Sequence, residues 1–206
     1  LVVQTQFGVE KTIPVFSPNR QNFVEYDISY LIDTAITRQK KRVGILSSLP
    51  VMGDDVTPYM ARMMQMQGQQ PTQPWGIATQ LKQQYELKNI PVDANKIEDV
   101  DVLLVIHPKD LSEQTVFAID QFVINGGRTI VCVDPYSVVD VPPQQQMMQM
   151  QMQHDPSSEL DKLLAHWGLE MPKNTFAGDM SIAVEAALRQ GERPQKIIGY
   201  LQTNSE

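Results

Sequence analysis

Three short, strongly apolar runs limit most what this chain can fold into. They read RVGILSSLP (42–50), VDVLLVIHP (100–108) and RTIVCVDP (128–135), and stretches with helical spacing separate them. A strand that is apolar along its whole length is buried on both faces, which is typical of parallel sheets covered by helices. The order strand, helix, strand, helix, strand therefore predicts a doubly wound α/β core.

The segments between these runs carry their own boundary signals. PWGIATQLKQQYE (74–86) has helical spacing, and YELKNIPV (85–92) predicts a shorter strand. LSEQTVFAIDQFVINGG (111–127) predicts a helix that Ser112 caps and that Asn125-Gly126-Gly127 stops. The sheet is thus expected to be mostly parallel, in a three-layer arrangement like that of flavodoxins and class I amidotransferases.

Smaller elements flank this core. LVVQTQF and KTIPVF around Gly8 predict an N-terminal β-hairpin. In DISYLIDTAIT, Asp27 is the predicted cap of a helix, and the basic stretch RQKKR closes it, where cations suit the helix dipole. A membrane-surface role for RQKKR is less favoured than a solvated face. SSELDKLLAHWG predicts a further capped helix in a partial C-terminal α/β subdomain. The predicted organisation is 1–42, 43–140 and 141–206.

Composition excludes several functional classes. The 206 residues suit one large domain, or one domain with a smaller subdomain. With 17 Lys and Arg against 24 Asp and Glu, the net charge of −7 argues against nucleic acid as a partner. The single cysteine, Cys132, excludes an intrachain disulfide. Because it lies among valines in an apolar run, Cys132 is predicted to be buried and inert.

The two ends of the chain suggest a piece of a longer protein. The sequence starts at Leu1 within an apparent strand, and KIIGYLQTNSE at the other end also has strand character. No run approaches the roughly twenty apolar residues of a membrane span, and no signal peptide is visible. We therefore expect any membrane or targeting segment to lie outside this stretch.

Two tracts rich in methionine and glutamine stand apart from the core. MARMMQMQGQQ (60–70) and QQQMMQMQMQH (144–154) hold eight of the eleven methionines. Flanking prolines and a position between core elements predict long loops that are available to a partner. Met148, Met150 and Met152 alternate, which does not fit a helical stripe. A Cu(I) site in a copper-handling accessory domain is the less favoured alternative, since thioethers are soft ligands.

Polar residues follow the three apolar strands. Ligands in open α/β sheets bind beyond the carboxyl ends of the strands. We therefore predict a ligand-binding rim there, formed by Ser47, Ser48, His107, Lys109, Asp134 and Tyr136.

Catalysis is not expected at this rim. A hydrolase that uses Ser48, His107 and Asp134 is the main alternative, but ILSSLP lacks the small residues of a nucleophile elbow. Neither GxGxxG nor GxxxxGK[ST] occurs, and the three histidines show no metal-ligand spacing. The sequence thus predicts no catalytic residue, metal site or cofactor.

Several blocks resemble one protein family. AIDQFVINGGRTIVCVDP (118–135) resembles the signature of the auxiliary component of gliding-motility-type ABC transporters, the GldG-like family. The blocks IPVFSPNRQNFVEYDISYLIDTAI, KRVGILSSLP, PWGIATQLKQQYELKNI, VDVLLVIHPKDLSEQ and LDKLLAHWGLEMP are similar to successive family blocks, over roughly residues 1–180.

The resemblance implies a place in a transport system. It implies an extracytoplasmic, periplasmic domain of an inner-membrane-anchored protein, tethered by segments absent from this stretch. It also implies partnership with an ABC permease and its ATPase, and leaves room for an unknown extracytoplasmic ligand. No catalytic residues are carried over from the family. The expected role is therefore non-enzymatic, through protein contact or ligand capture.

Overall fold

The computed structural model describes residues 1–37, 39–54, 56–68, 70–141, 154–172, 175–187 and 193–202. The chain forms two compact units. The first, called here the sheet unit, contains Leu1–Ile106 and Asp110–Cys132. The second, called here the C-terminal unit, contains His107–Lys109 and Val133–Glu206. No helix among the described residues is both long and apolar enough to cross a membrane.

A parallel sheet forms the centre of the sheet unit. Its strands lie in the order β4-β3-β5-β6 and are all parallel. Helices intervene along the chain, as the apolar runs predicted, and the α/β fold class is confirmed. The four strands are β3 (Arg42–Ser47), β4 (Glu86–Ile90), β5 (Val102–Ile106) and β6 (Arg128–Cys132).

Three helices connect the strands of the sheet along the chain: α2 (Pro58–Met66) and α3 (Gly76–Gln84) lie between β3 and β4, and α4 (Glu113–Ile124) lies between β5 and β6. Ser112 caps α4 as predicted, because its side chain accepts the Thr115 N–H. Burial is deepest on the central strands. Val43, Ile45 and Leu104 form one core cluster with Val51 and Ala78.

The N-terminal part carries the predicted hairpin and a helix. Strands β1 (Val2–Gln4) and β2 (Glu10–Thr12) pair antiparallel across a turn in which Gly8 has a φ of 81°. Helix α1 (Val24–Ile36) follows a 3-10 segment. The predicted cap at Asp27 is wrong, since α1 begins three residues earlier. Asp27 instead binds Arg20, with Oδ1 at 2.6 Å from Nη2.

The basic stretch after α1 does not close that helix. Helix α1 ends at Ile36 and has no basic residue in its last turn. Lys40 instead donates to carbonyls at the end of α3, at 2.9 Å from Gln83 O and 3.4 Å from Lys82 O. The cation thus satisfies the C-terminus of a helix distant in sequence, which short-range pattern analysis does not reveal.

Cys132 is exposed, so its predicted burial is wrong. It lies on β6, at the edge of the sheet. Exposure alternates along this strand, where Arg128, Ile130 and Cys132 are exposed while Thr129 and Val131 are partly buried. An edge strand has one neighbour and here one open face, whereas the apolar run had suggested cover on both faces.

The first methionine-rich tract is largely helical, not a loop. Helix α2 covers Pro58–Met66, and Thr57 caps it by accepting the Met60 N–H at 3.3 Å. Pro58 does not mark a loop, because proline is favoured in the first turn of a helix. Met60 and Met63 are 53% and 44% exposed, so the tract presents thioethers to solvent. The second tract lies outside the described residues except for His154.

The C-terminal unit contains one helix and one hairpin. Helix α5 (Asp161–His166) buries Leu163 and Leu164, and Gly168 follows it with a φ of 77°. Strands β7 (Ala183–Ala186) and β8 (Gln195–Leu201) pair antiparallel with a register shift.

Candidate functional site

The two predicted serines lie in the sheet unit. Ser47 is the last residue of β3 and is paired in register with Ile106, the last residue of β5. Its Oγ accepts the Leu49 N–H at 3.1 Å, which fixes the turn that ends the strand. Ser48 is exposed. Ser47 therefore has a local structural contact, and the predicted binding role of both serines stays a prediction.

The other four predicted residues, His107, Lys109, Asp134 and Tyr136, lie in the C-terminal unit. His107 follows β5 directly, has a φ of 45° and is only 3% exposed. A left-handed backbone is uncommon for a non-glycine residue, and a buried imidazole needs hydrogen-bond partners. The surroundings of His107 therefore define the site.

A compact polar network surrounds this imidazole. His107 Nδ1 lies 3.0 Å from Ser158 Oγ, and His107 Nε2 lies 3.3 Å from Asp140 Oδ2. Lys109 Nζ donates to the same Asp140 Oδ2 at 2.6 Å. His154 Nε2 lies 3.3 Å from Asp140 Oδ1. We call these five residues, His107, Lys109, Asp140, His154 and Ser158, the His107 cluster.

The network assigns a tautomer to His107. Ser158 Oγ accepts the Asp134 N–H at 2.9 Å, so its hydroxyl hydrogen is available for the imidazole. The hydroxyl then donates to Nδ1, and Nε2–H donates to Asp140. This arrangement gives each ring nitrogen of His107 one hydrogen-bond partner.

Asp140 is the electrostatic centre of the cluster. Burial alone would raise the pKa of this carboxyl, but hydrogen bonds from Lys109 and His107 outweigh it. The charges of Lys109 and His154 act in the same direction, and the pKa falls below its ordinary value of 3.8. Asp140 is therefore held as a carboxylate that accepts hydrogen bonds from Lys109 and His107, while His154 Nε2 bonds to the Asp140 backbone carbonyl at 2.8 Å.

The cluster also fixes the loop that follows β6, residues 134–141. Ser137 N donates to Pro156 O at 2.9 Å, and Ser158 N donates to Asp134 O at 2.9 Å. Asp134 Oδ1 accepts the Tyr136 N–H at 2.9 Å. Four apolar side chains on this loop nevertheless point to solvent, with exposed fractions of 68% for Tyr136, 62% for Val138, 54% for Val139 and 64% for Val141.

A cavity of about 60 Å³ lies beside the cluster and is lined by Pro135, Asp155, Ser157, Ser158, Asp161, Met171 and Pro172. Ligand pockets for drug-sized molecules are several times larger, at roughly 300–1,000 Å³. The cavity therefore has room for a few water molecules, not for a typical organic ligand. Among the described residues, no group of three or more His, Cys, Asp or Glu is arranged to hold a metal.

Ser158, His107 and Asp140 follow one another as in a serine-hydrolase triad, but their geometry differs. In such a triad the serine pairs with Nε2 and the aspartate with Nδ1. Here the two nitrogens are exchanged, and Ser158 is only 3% exposed. Its oxygen is also engaged by a backbone amide. The arrangement is suited to holding chain segments together.

Asp140, His154 and Ser158 are not among the site residues predicted from the sequence. Ser158 lay in a segment interpreted as the cap of a helix, but α5 has no side-chain cap and Ser158 binds His107 instead. The sequence shows His107 directly after an apolar strand, but its burial, and with it the need for a polar partner, is known only from the structure. The position of that partner, 51 residues away, could not be read from spacing.

The chain matches a known family over most of its length. A family model described as an ABC-type uncharacterized transport system matches residues 40–205, a range that includes the parallel sheet and the His107 cluster. No curated protein and no solved structure matches the chain. Family membership associates the chain with an ABC transport system in an accessory role. The chain belongs to this ABC-type transport auxiliary family.

Proposed function

We propose that this chain is the extracytoplasmic domain of a membrane-anchored, GldG-like auxiliary protein that acts without catalysis by contacting the ABC permease through its 134–141 loop. The ATPase is a separate chain of the same system, in keeping with the lack of a P-loop motif in this sequence. The observation that carries the proposal is the exposure of four apolar side chains on a loop that the His107 cluster holds in place.

The side chains of this loop suit a protein partner. Tyr136 and three valines are each more than half exposed within six residues of sequence, and Asp140 between them turns inward to Lys109. Clustered exposed apolar side chains are typical of protein interaction sites, whereas scattered ones are ordinary. Tyrosine is enriched in such interfaces.

The backbone of the loop is prepared for binding. Hydrogen bonds connect Asp134 to Ser158 and Ser137 to Pro156. The Asp140 side chain is held by Lys109, which follows β5, and by His154, which precedes α5. A surface that is ordered before association pays less conformational entropy when a partner binds. This supports a contact surface over a flexible connection.

At the His107 cluster, two observations favour protein contact over ligand capture or catalysis. The cavity beside the cluster, at about 60 Å³, is too small for a typical organic ligand. The serine of the network is buried and accepts a backbone amide, which leaves it poorly suited to attack a substrate. The extracytoplasmic location and the gliding-motility type rest on the resemblance of the sequence blocks alone.

Site-specific photo-cross-linking tests the proposal. The full-length protein is produced with its ABC permease and ATPase, and a photoreactive amino acid replaces Val139 or, as a control, Tyr200. These two apolar side chains are 54% and 56% exposed, so accessibility is matched. We expect a cross-link to the permease from position 139 and none from position 200.

Two results would contradict the proposal. One is the absence of a cross-link from position 139 while the three proteins co-purify. The other is equal cross-linking from both positions.

Protease treatment of spheroplasts tests the location separately, since an extracytoplasmic domain is digested in intact spheroplasts and a cytoplasmic one is protected.

A further inference from the structure

A second feature of the molecule lies wholly within the sheet unit. A cleft of about 650 Å³ is lined by residues from β2, α1, the segment before β3 and the C-terminal end of α3. Its volume falls within the range of roughly 300–1,000 Å³ that is usual for small-molecule sites. It shares no lining residue with the His107 cluster or the 134–141 loop. From this cleft we infer a binding site for a small oxyanion that carries two or more carboxylate or phosphate groups.

The net positive charge of the residues that line the cleft supports an anionic ligand. Among the residues of the lining that the structure describes, Lys11, Lys40 and Lys41 are basic and Asp33 alone is acidic. The formal charge of the lining is therefore +2, in a chain whose net charge is −7. A concave surface that concentrates the sign opposite to that of the whole chain attracts ligands of the other charge.

The three lysines differ in how they are held. Lys40 is fixed at the wall by two carbonyls of α3, at 2.9 and 3.4 Å. Lys11 and Lys41 are exposed, and neither forms an ion pair with any residue that the structure describes. Lys11 and Lys41 are consequently the cations available to a ligand.

The remaining lining suits an oxygen-rich molecule. Tyr30, Tyr85 and Gln83 contribute hydroxyl and amide groups. Asp33 is engaged locally, since its Oδ1 accepts the Thr37 hydroxyl at 3.5 Å. Neutral donors beside two free ammonium groups match a ligand with several charged oxygens better than a simple monovalent anion.

Lysine side chains alone do not distinguish a carboxylate ligand from a phosphate ligand. An ammonium group acts as a point charge and lacks the planar fork with which arginine recognises carboxylate or phosphate. No arginine lines the described wall of the cleft. The cleft therefore recognises multivalent oxyanions as a class, and the two chemical sources must be separated by experiment.

Titration with two probes provides the test. Pyrophosphate and citrate are added to the isotopically labelled full chain at low salt, and amide chemical shifts are followed. We expect saturable shifts at residues around Thr12, Thr34 and Lys41. The ratio of the two dissociation constants identifies phosphate or carboxylate as the preferred group. Raising the salt concentration should weaken binding, because the lysines are solvent-accessible.

Matched lysine variants make the test specific. Lys11→Gln and Lys41→Gln should each weaken binding about fivefold, as expected for one exposed charge contact. Lys96→Gln serves as the control, since Lys96 is 76% exposed, pairs with Glu98 and lies outside the lining. Shifts that do not saturate at about 10 mM, a free energy near −3 kcal/mol, would overturn the inference. Equal weakening in Lys96→Gln would also overturn it.

Discussion

His107 Nδ1 lies 3.0 Å from Ser158 Oγ, although 51 residues separate the two in sequence. Both side chains are only 3% exposed. The pair joins the segment after β5 to the segment before α5 within the C-terminal unit, and Asp134 N completes it by donating to the same hydroxyl. One serine oxygen thus connects three stretches of the chain.

Replacing Ser158 with alanine should destabilise the C-terminal unit. The substitution removes the hydroxyl that pairs with His107 Nδ1 and accepts the Asp134 N–H, and loss of a partner in a buried hydrogen bond costs about 1–3 kcal/mol. Ser157→Ala is the matched control. Ser157 is only partly buried, and its hydroxyl forms no hydrogen bond with the residues of the His107 cluster. Chemical denaturation measures the free energy of unfolding. A Ser158→Ala loss no larger than that of Ser157→Ala would show that the network contributes nothing to stability.

Asp140 should make stability depend on acidic pH. Its pKa is lowered on folding despite the opposing effect of burial, because Lys109 and His107 donate to it. A carboxyl with a lowered pKa stabilises the fold above its ordinary pKa of 3.8, and this contribution disappears as the pH falls through the lowered value.

Asp140→Asn is therefore expected to be less stable than the natural chain at pH 7, by about 1–3 kcal/mol for the lost partner of a charged donor. The difference between the two proteins should shrink below pH 3.8. Denaturation curves measured from neutral to acidic pH check both points, with the exposed Asp93→Asn as control. A difference that stays constant with pH would contradict the predicted linkage.

The limits of sequence-based prediction can be seen in particular residues. The order of apolar strands and helical segments predicted the parallel sheet, because a pattern of burial on both faces is local to each strand. The exposure of Cys132 could not be predicted, because the composition of a strand does not show whether the strand lies at the edge of the sheet. The partners of His107 could not be predicted either, because a contact between residues 51 positions apart depends on how the loops pack.

Methionine-rich segments show a different limit. Flanking prolines and the position between core elements predict a loop for the first tract, yet Met60, Met63 and Met64 follow the i, i+3, i+4 spacing of a helix. Thr57 and Pro58 supply the start signals of α2. Pro58 beside a glutamine-rich tract predicts a loop boundary from the sequence, whereas in the structure it opens a helix.

The thiol of Cys132 should react in the native protein. It is exposed on the open face of an edge strand, so a bulky thiol reagent can approach without unfolding. We expect the native rate to lie within about tenfold of the rate in denaturant, with Cys132→Ser as the unreactive control. Protection by several orders of magnitude would mean that β6 is covered in solution.

Hydrolase activity provides a direct test of the non-catalytic proposal. A broad serine-directed phosphonate should label neither Ser48 nor Ser158 in the native chain. Ser158 is buried and hydrogen bonded to Asp134 N, and ILSSLP around Ser48 lacks the small residues of a nucleophile elbow. Mass spectrometry of the treated protein measures labelling. Stoichiometric modification that disappears in Ser48→Ala or Ser158→Ala would replace the proposed role with an enzymatic one.

The cap of α2 offers the last prediction. Thr57 accepts the Met60 N–H, so Thr57→Ala removes one of the few contacts that set the start of this exposed helix. Capping threonines contribute about 1 kcal/mol, and a nine-residue helix has little stability of its own. Amide exchange over 58–66 should therefore accelerate about fivefold. Thr79→Ala is the control, since the Thr79 hydroxyl donates to the carbonyl of Trp75, the residue before α3, and does not cap α2. Equally fast exchange in the natural chain and in Thr57→Ala would indicate that the tract samples the helix only briefly, and the loop interpretation of 60–70 would then return.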